Sequence, residues 1–113
     1  MTSHITTHVL DTVLGRPATG VGLRLARHTS DGEVEQVATA TTDADGRSKD
    51  LGPQRLAPGT YQLTFATGEY FAAQGRDHFY PQVTIDFLIE AGQDHYHVPI
   101  LLSPYAYSTY RGS

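Results

Sequence analysis

Apolar and polar residues alternate with a period of two through most of this chain, in runs that glycine and proline keep short. Side chains on an extended strand point alternately to opposite faces, so each such run buries one face and exposes the other. The run from His95 to Leu102 shows this most fully. Tyr96, Val98, Ile100 and Leu102 make one apolar face, while His95, His97, Pro99 and Leu101 make the other. Ser103-Pro104 breaks the run, and a further strand follows it. Thr6–Leu14 sets Val9, Asp11 and Val13 against His8, Leu10 and Thr12. Val21–His28 directs Val21, Leu23 and Leu25 inward, with Gly22, Arg24, Ala26 and His28 outward. Glu33–Thr42 is rich in threonine and β-branched residues, as suits a half-exposed strand. Tyr61, Leu63 and Phe65, and then Val83, Ile85 and Phe87, mark two more strands. Gly15–Ala18, Asp31-Gly32, Asp43–Gly46 and Ala91–Asp94 are turn signals between runs. Ser48–Pro58 is irregular. Gly68–Gly75 alone lacks strand character, and its Glu, Ala and Gln predict a short helix that Gly75 closes. The pattern predicts an all-β, two-sheet sandwich of about eight short strands with one short helix.

With 113 residues the chain supports one core, so a single domain over residues 1–113 is expected. The absence of cysteine excludes a disulfide frame, a thiolate metal site and a cysteine nucleophile. Eight Lys and Arg against twelve Asp and Glu leave a net charge of −4, which argues against a nucleic-acid partner. The first residues lack the basic and apolar regions of a secretory leader, and no apolar run approaches the roughly 20 residues that span a bilayer. The expectation is a cytoplasmic protein with no membrane partner.

The chemistry-bearing residues are few. His95 and His97 share a strand face about 7 Å apart, a spacing that could serve a metal ion if a third ligand came from elsewhere. On spacing alone, two histidines without a third are more often surface residues, and no metal site is assigned. His8 stands by itself on the first strand. Arg47 follows the Asp45-Gly46 turn, where a residue normally points to water. Asp43-Ala44-Asp45-Gly46 lacks the remaining ligands of a calcium loop, and neither a nucleophile elbow nor a phosphate loop is present. The chain ends on Tyr110-Arg111-Gly112-Ser113, a strand-like close that suggests a fixed terminus.

Taken together, His8-Val-Leu-Asp-Thr-Val-Leu-Gly-Arg-Pro-Ala18, His95-Tyr-His-Val-Pro-Ile-Leu-Leu-Ser-Pro104 and Tyr110-Arg-Gly-Ser113 resemble the 5-hydroxyisourate hydrolases. These are transthyretin-related enzymes of urate breakdown. The resemblance covers essentially the whole chain, including the Asp45-Gly46-Arg47 turn and the short helix. The terminal tetrapeptide is specific to the enzymes. Leu-Asp-x-x-x-Gly-x-Pro-Ala is not, since transthyretin carries it too. The carrier lacks this terminus and the histidines that match His8 and His97.

The resemblance implies a transthyretin-like sandwich forming a homotetramer, with active sites in clefts between paired dimers. It implies hydrolysis of 5-hydroxyisourate, by attack of water on the six-membered-ring amide, to 2-oxo-4-hydroxy-4-carboxy-5-ureidoimidazoline, without a cofactor. His8, Arg47, His97 and Ser113 match the catalytic positions, and Tyr110, Arg111 and Gly112 join them around the substrate. The chemistry suits these residues. An imidazole can activate water near neutral pH, and a neighbouring guanidinium disfavours imidazolium while stabilising a developing oxyanion. Two other readings fit part of the pattern. A transthyretin-like small-molecule carrier needs neither the histidines nor the fixed terminus. A zinc module built on His8, His95 and His97 leaves Arg47 and the tail unexplained.

Overall fold

The computed structural model describes residues 3–112; Ser113, expected at the site, therefore lies outside the described residues. Two sheets face each other. The first holds β1 (Ile5–Asp11), β2 (Arg16–Pro17), β5 (Arg47–Ser48), β8 (Tyr96–Ser103) and β9 (Ala106–Thr109), and its main path runs β2-β1-β8-β9. The second runs β4-β3-β6-β7, from β3 (Gly22–His28), β4 (Val34–Thr41), β6 (Gly59–Phe65) and β7 (Val83–Ile89). Helix α1 (Thr67–Ala72) is the one helix among the described residues. The architecture is the all-β sandwich the alternation predicts, with two of its strands only two residues long.

The core is made by the inward faces. Val9 and Ile5 of β1, Tyr96, Val98, Ile100 and Leu102 of β8, Leu23 and Leu25 of β3, and Tyr61, Leu63 and Phe65 of β6 form one buried cluster. At about 25 cal/mol per Å² of apolar surface, that burial is the main stabilising contribution. Two inward-facing assignments differ from the alternation. Ala26 is buried, because the β3–β4 register shifts between Leu25 and Ala26 and re-aims the strand beyond. Val13 is exposed, because β1 ends at Asp11 rather than Leu14. The carboxylate of Asp11 accepts the backbone N–H groups of Val13 (3.1 Å) and Leu14 (3.0 Å), curling the chain into a turn.

Asp11 also ties the helix to this turn. It is fully buried, and its carboxylate accepts the Tyr70 hydroxyl at 2.8 Å and the Arg76 guanidinium at 2.7 Å. Burial works against its charged form, but these donors win and hold the carboxyl below the usual carboxylate range. The helix closes as a Schellman turn, with Gly75 N–H on Ala72 C=O and Arg76 N–H on Phe71 C=O, both 3.0 Å. That turn is what aims Arg76 at Asp11.

β1 and β8 run parallel and in register, Thr6 beside His97, His8 beside Pro99 and Leu10 beside Leu101. β5 pairs with the other edge of β1 and sets Arg47 opposite His8. This register decides which side chains meet on the outer face.

Candidate active site on the outer face of the first sheet

Neighbouring residues of paired strands project to the same side of a sheet. The pairings therefore bring Arg47, His8, Thr6 and His97 onto one outer face, from three strands far apart in sequence. Arg47 is not the water-facing hairpin residue that a Gly-Arg turn exit predicts. It starts a two-residue strand and is half-buried. Asp43 builds the turn before it, accepting the N–H groups of Asp45 (2.9 Å) and Arg47 (3.0 Å). Gly46 then passes against β1 with a φ of 72°, and a Cβ there would lie 2.5 Å from the Val9 carbonyl oxygen. Only glycine lets the turn approach β1 this closely, and the approach is what delivers Arg47 to His8.

His97 is held on two sides. Its Nδ1 lies 2.9 Å from the Thr6 hydroxyl, and its backbone C=O accepts the Gly112 N–H at 2.8 Å. The tail lies flat on the imidazole: a Cβ on Gly112 would sit 2.6 Å from His97 Cδ2. Among the described residues, Nε2 is the ring nitrogen of His97 without a hydrogen bond. The imidazole's pKa is lowered from the usual histidine value, first by burial, then by the positive charge of Arg47 and by His95 and His8. His97 is therefore a neutral imidazole at neutral pH, with Nδ1 engaged by Thr6.

The remaining expected residues divide. The pairings of β8 with β9 and of His97 with Gly112 share one register, which sets Tyr110 opposite Pro99, on the face that carries His97. Arg111 falls opposite Val98 and turns the other way. Its guanidinium stacks over the inward Tyr96 ring, 5.0 Å from the centroid, and lines a cleft of about 320 Å³ between β7 and the tail. Within this chain Arg111 shares that cleft with His97 and Tyr110 but is not gathered with His8 and Arg47.

Two residues were not singled out in sequence. Thr6 reads as an ordinary strand threonine, and only the parallel β1–β8 pairing shows that it touches His97. His4 is buried, accepts the Leu56 N–H at Nδ1 (2.9 Å) and bonds the Gln93 carbonyl through Nε2 (2.9 Å), a structural role its place near the N-terminus did not signal. His95 is exposed, and its Nε2 lies 2.9 Å from the same Thr6 hydroxyl. The zinc arrangement loses support here, since the His95 nitrogen is engaged by Thr6 and no three His, Asp or Glu side chains converge among the described residues.

A face carrying a neutral imidazole, a guanidinium and a second histidine can activate water and stabilise an oxyanion. Comparison with known proteins agrees with that chemistry. The model of the HIUase/Transthyretin family matches residues 5–112. A 5-hydroxyisourate hydrolase of Caulobacter vibrioides is 48% identical, the match covering 98% of this chain and 99% of that one. The structure of the Klebsiella pneumoniae 5-hydroxyisourate hydrolase superposes with a TM-score of 0.86 at 40% identity, covering 98% of this chain and 100% of the other. Sea bream transthyretin, solved in complex with thyroxine, superposes with a TM-score of 0.91 at 34% identity, covering 96% and 94%.

Proposed function

The chain belongs to the HIUase/Transthyretin family, and from that premise we propose that it hydrolyses 5-hydroxyisourate, with the outer face of the first sheet as its active site. Fold alone does not separate hydrolase from carrier, because the transthyretin superposes at least as well as the hydrolase. The observation that carries the reading is the neutral, positioned His97 beside Arg47 and His8. A carrier has no use for an imidazole poised this way.

In the mechanism, a water on Nε2 of His97 gives up a proton as its oxygen attacks the ring carbonyl carbon. Negative charge grows on the carbonyl oxygen, where the Arg47 guanidinium stabilises it. The carbon–nitrogen bond of the ring then breaks. The imidazolium returns its proton to the departing nitrogen, leaving an opened ring and a carboxylic acid that loses its proton to solvent as carboxylate. Arg47 serves twice, since its charge also keeps His97 unprotonated before the attack. His8, opposite Arg47, is placed to hold the water or the substrate edge. No cofactor enters this scheme. Tyr110, Gly112 and Ser113 complete the substrate's surroundings in the proposal. Arg111, which faces Tyr96, takes part only if it turns or serves a neighbouring protomer's site.

A sheet face is a single wall, whereas a small substrate is normally enclosed. A second copy facing it would supply the other wall, which supports the homotetramer with sites at the dimer–dimer interface that the resemblance implies. Two further features favour assembly. β7 and β9 end their sheets without a partner strand among the described residues. Val13, Leu14, Tyr105, Tyr107 and Tyr110 are all exposed.

The test is the ultraviolet decay of freshly generated 5-hydroxyisourate with the protein far below the substrate concentration. A hydrolase clears many equivalents per protomer. Loss of no more than one equivalent would establish binding without turnover and overturn the reading.

A further inference from the structure

The Thr6 hydroxyl stands between two imidazoles, 2.9 Å from Nε2 of His95 and 2.9 Å from Nδ1 of His97. A hydroxyl has one proton to donate, so it cannot donate to both nitrogens. If it donates to His95, it is free to accept Nδ1–H from His97, and Nε2 of His97 then carries a lone pair. If it donates to His97, the proton of His97 must sit on Nε2, and that nitrogen cannot take a proton from water. From this geometry we infer that Thr6 and His95 are positioning residues: the His95–Thr6–His97 chain fixes the tautomer in which His97 Nε2 is the base. The inference rests on the proposed role of His97.

The chain has a direction. Neutral His95 can accept the Thr6 proton at Nε2 and so permits the base-competent tautomer. Protonated His95 has N–H on both ring nitrogens and donates to Thr6, whose second lone pair still accepts Nδ1–H of His97, while the hydroxyl proton loses its acceptor at His95. Thr6 is buried on β1, whereas His95 is exposed beside the Arg55–Asp94 ion pair. The charged and titratable groups around the pair are His8 on β1, Arg47 on β5, and Asp94 and Arg55 beside His95. None of them has a hydrogen bond to Thr6 Oγ1 among the described residues. During turnover the same arrangement serves the imidazolium, since Nδ1–H already points at an acceptor when Nε2 takes its proton.

Three variants separate this role from a structural one. Thr6→Val keeps the shape and removes the hydroxyl; Thr6→Ser keeps the hydroxyl; His95→Gln offers a permanent acceptor that does not titrate. Imidazole ¹⁵N spectra of the full-length protein in solution would report the His97 tautomer directly, alongside kcat/KM against pH. The expected result is a His97 with Nδ1 protonated in the wild type and in Thr6→Ser. Thr6→Val should mix the tautomers and lose roughly ten- to a hundredfold in kcat, the loss of one hydrogen bond to a charging group. His95→Gln, whose side-chain oxygen can still accept the Thr6 proton, should retain activity and the wild-type His97 tautomer. A wild-type His97 protonated on Nε2, or a Thr6→Val variant with the wild-type tautomer and rate, would overturn the inference while leaving hydrolysis intact. Absence of hydrolysis in the wild type would instead overturn the reading of the site.

Discussion

Gly112→Ala tests whether the C-terminal tail holds the catalytic imidazole. The glycine makes one backbone bond to His97, and a methyl group added there would meet the ring at 2.6 Å from Cδ2, 3.2 Å from Cγ and 3.3 Å from Cβ. Ordinary contact begins near 3.4 Å, so the ring or the tail must move by about 0.8 Å. The ring is pinned by Thr6 at Nδ1, and moving it misplaces Nε2; moving the tail removes Tyr110 from beside Pro99. A displacement near 1 Å typically costs on the order of 100-fold in rate. Stability should barely change, because one exposed backbone bond is worth roughly 1 kcal/mol and the core cluster lies elsewhere. The assay pairs initial rates of 5-hydroxyisourate decay with a thermal melt. The expected outcome is a rate lowered about 100-fold and a Tm within about 5 °C of wild type. A variant with wild-type kcat would refute the view that the tail positions His97.

Further outcomes follow from the same geometry. His97→Asn and Arg47→Ala should each lower kcat by roughly 10²–10⁴-fold with little change in Tm, as measured by steady-state kinetics and calorimetry. Deleting residues 110–113 should abolish turnover and leave the far-ultraviolet circular dichroism of the sandwich intact. Because the folded pKa of His97 is lowered, the base form persists below the usual imidazole range; kcat/KM should hold through pH 6.5 and fall only at lower pH. The sign for stability is the same: the unfolded chain binds the proton first, so this contribution is complete above about pH 6.5 and declines below it, which denaturant titrations at two pH values would show. Arg76→Ala should cost roughly 3 kcal/mol in a urea titration, because it leaves the buried Asp11 carboxylate without its cation.

How far the sequence reveals this protein depends on whether a feature is local. The alternation in His95–Leu102 and in Tyr61–Phe65 is local, and the faces it predicts are the buried and outer faces observed. The end of β1 is not, because Val13 alternates correctly yet the Asp11 carboxylate curls the chain first. The β3–β4 irregularity that buries Ala26 likewise depends on a partner strand. The histidines and Arg47 were visible as residue types. What brought them together was pairing, β5 on one edge of β1 and β8 on the other, which no spacing within one strand encodes. Thr6 illustrates the limit best. Alternation puts it on the His8 face and Thr7 on the Val9 face, but only the pairing with β8 shows that Thr6 stands between two imidazoles while Thr7 bonds the Val98 carbonyl.

The most direct test compares wild type with His97→Asn in the same decay assay, at equal protein concentration and at pH 7.5, on freshly made 5-hydroxyisourate. The account predicts that wild type clears many equivalents while His97→Asn, equally folded, falls to within reach of the uncatalysed decay. Equal rates in the two proteins would show that His97 is not the base, and that the chemistry lies outside the face assigned to it.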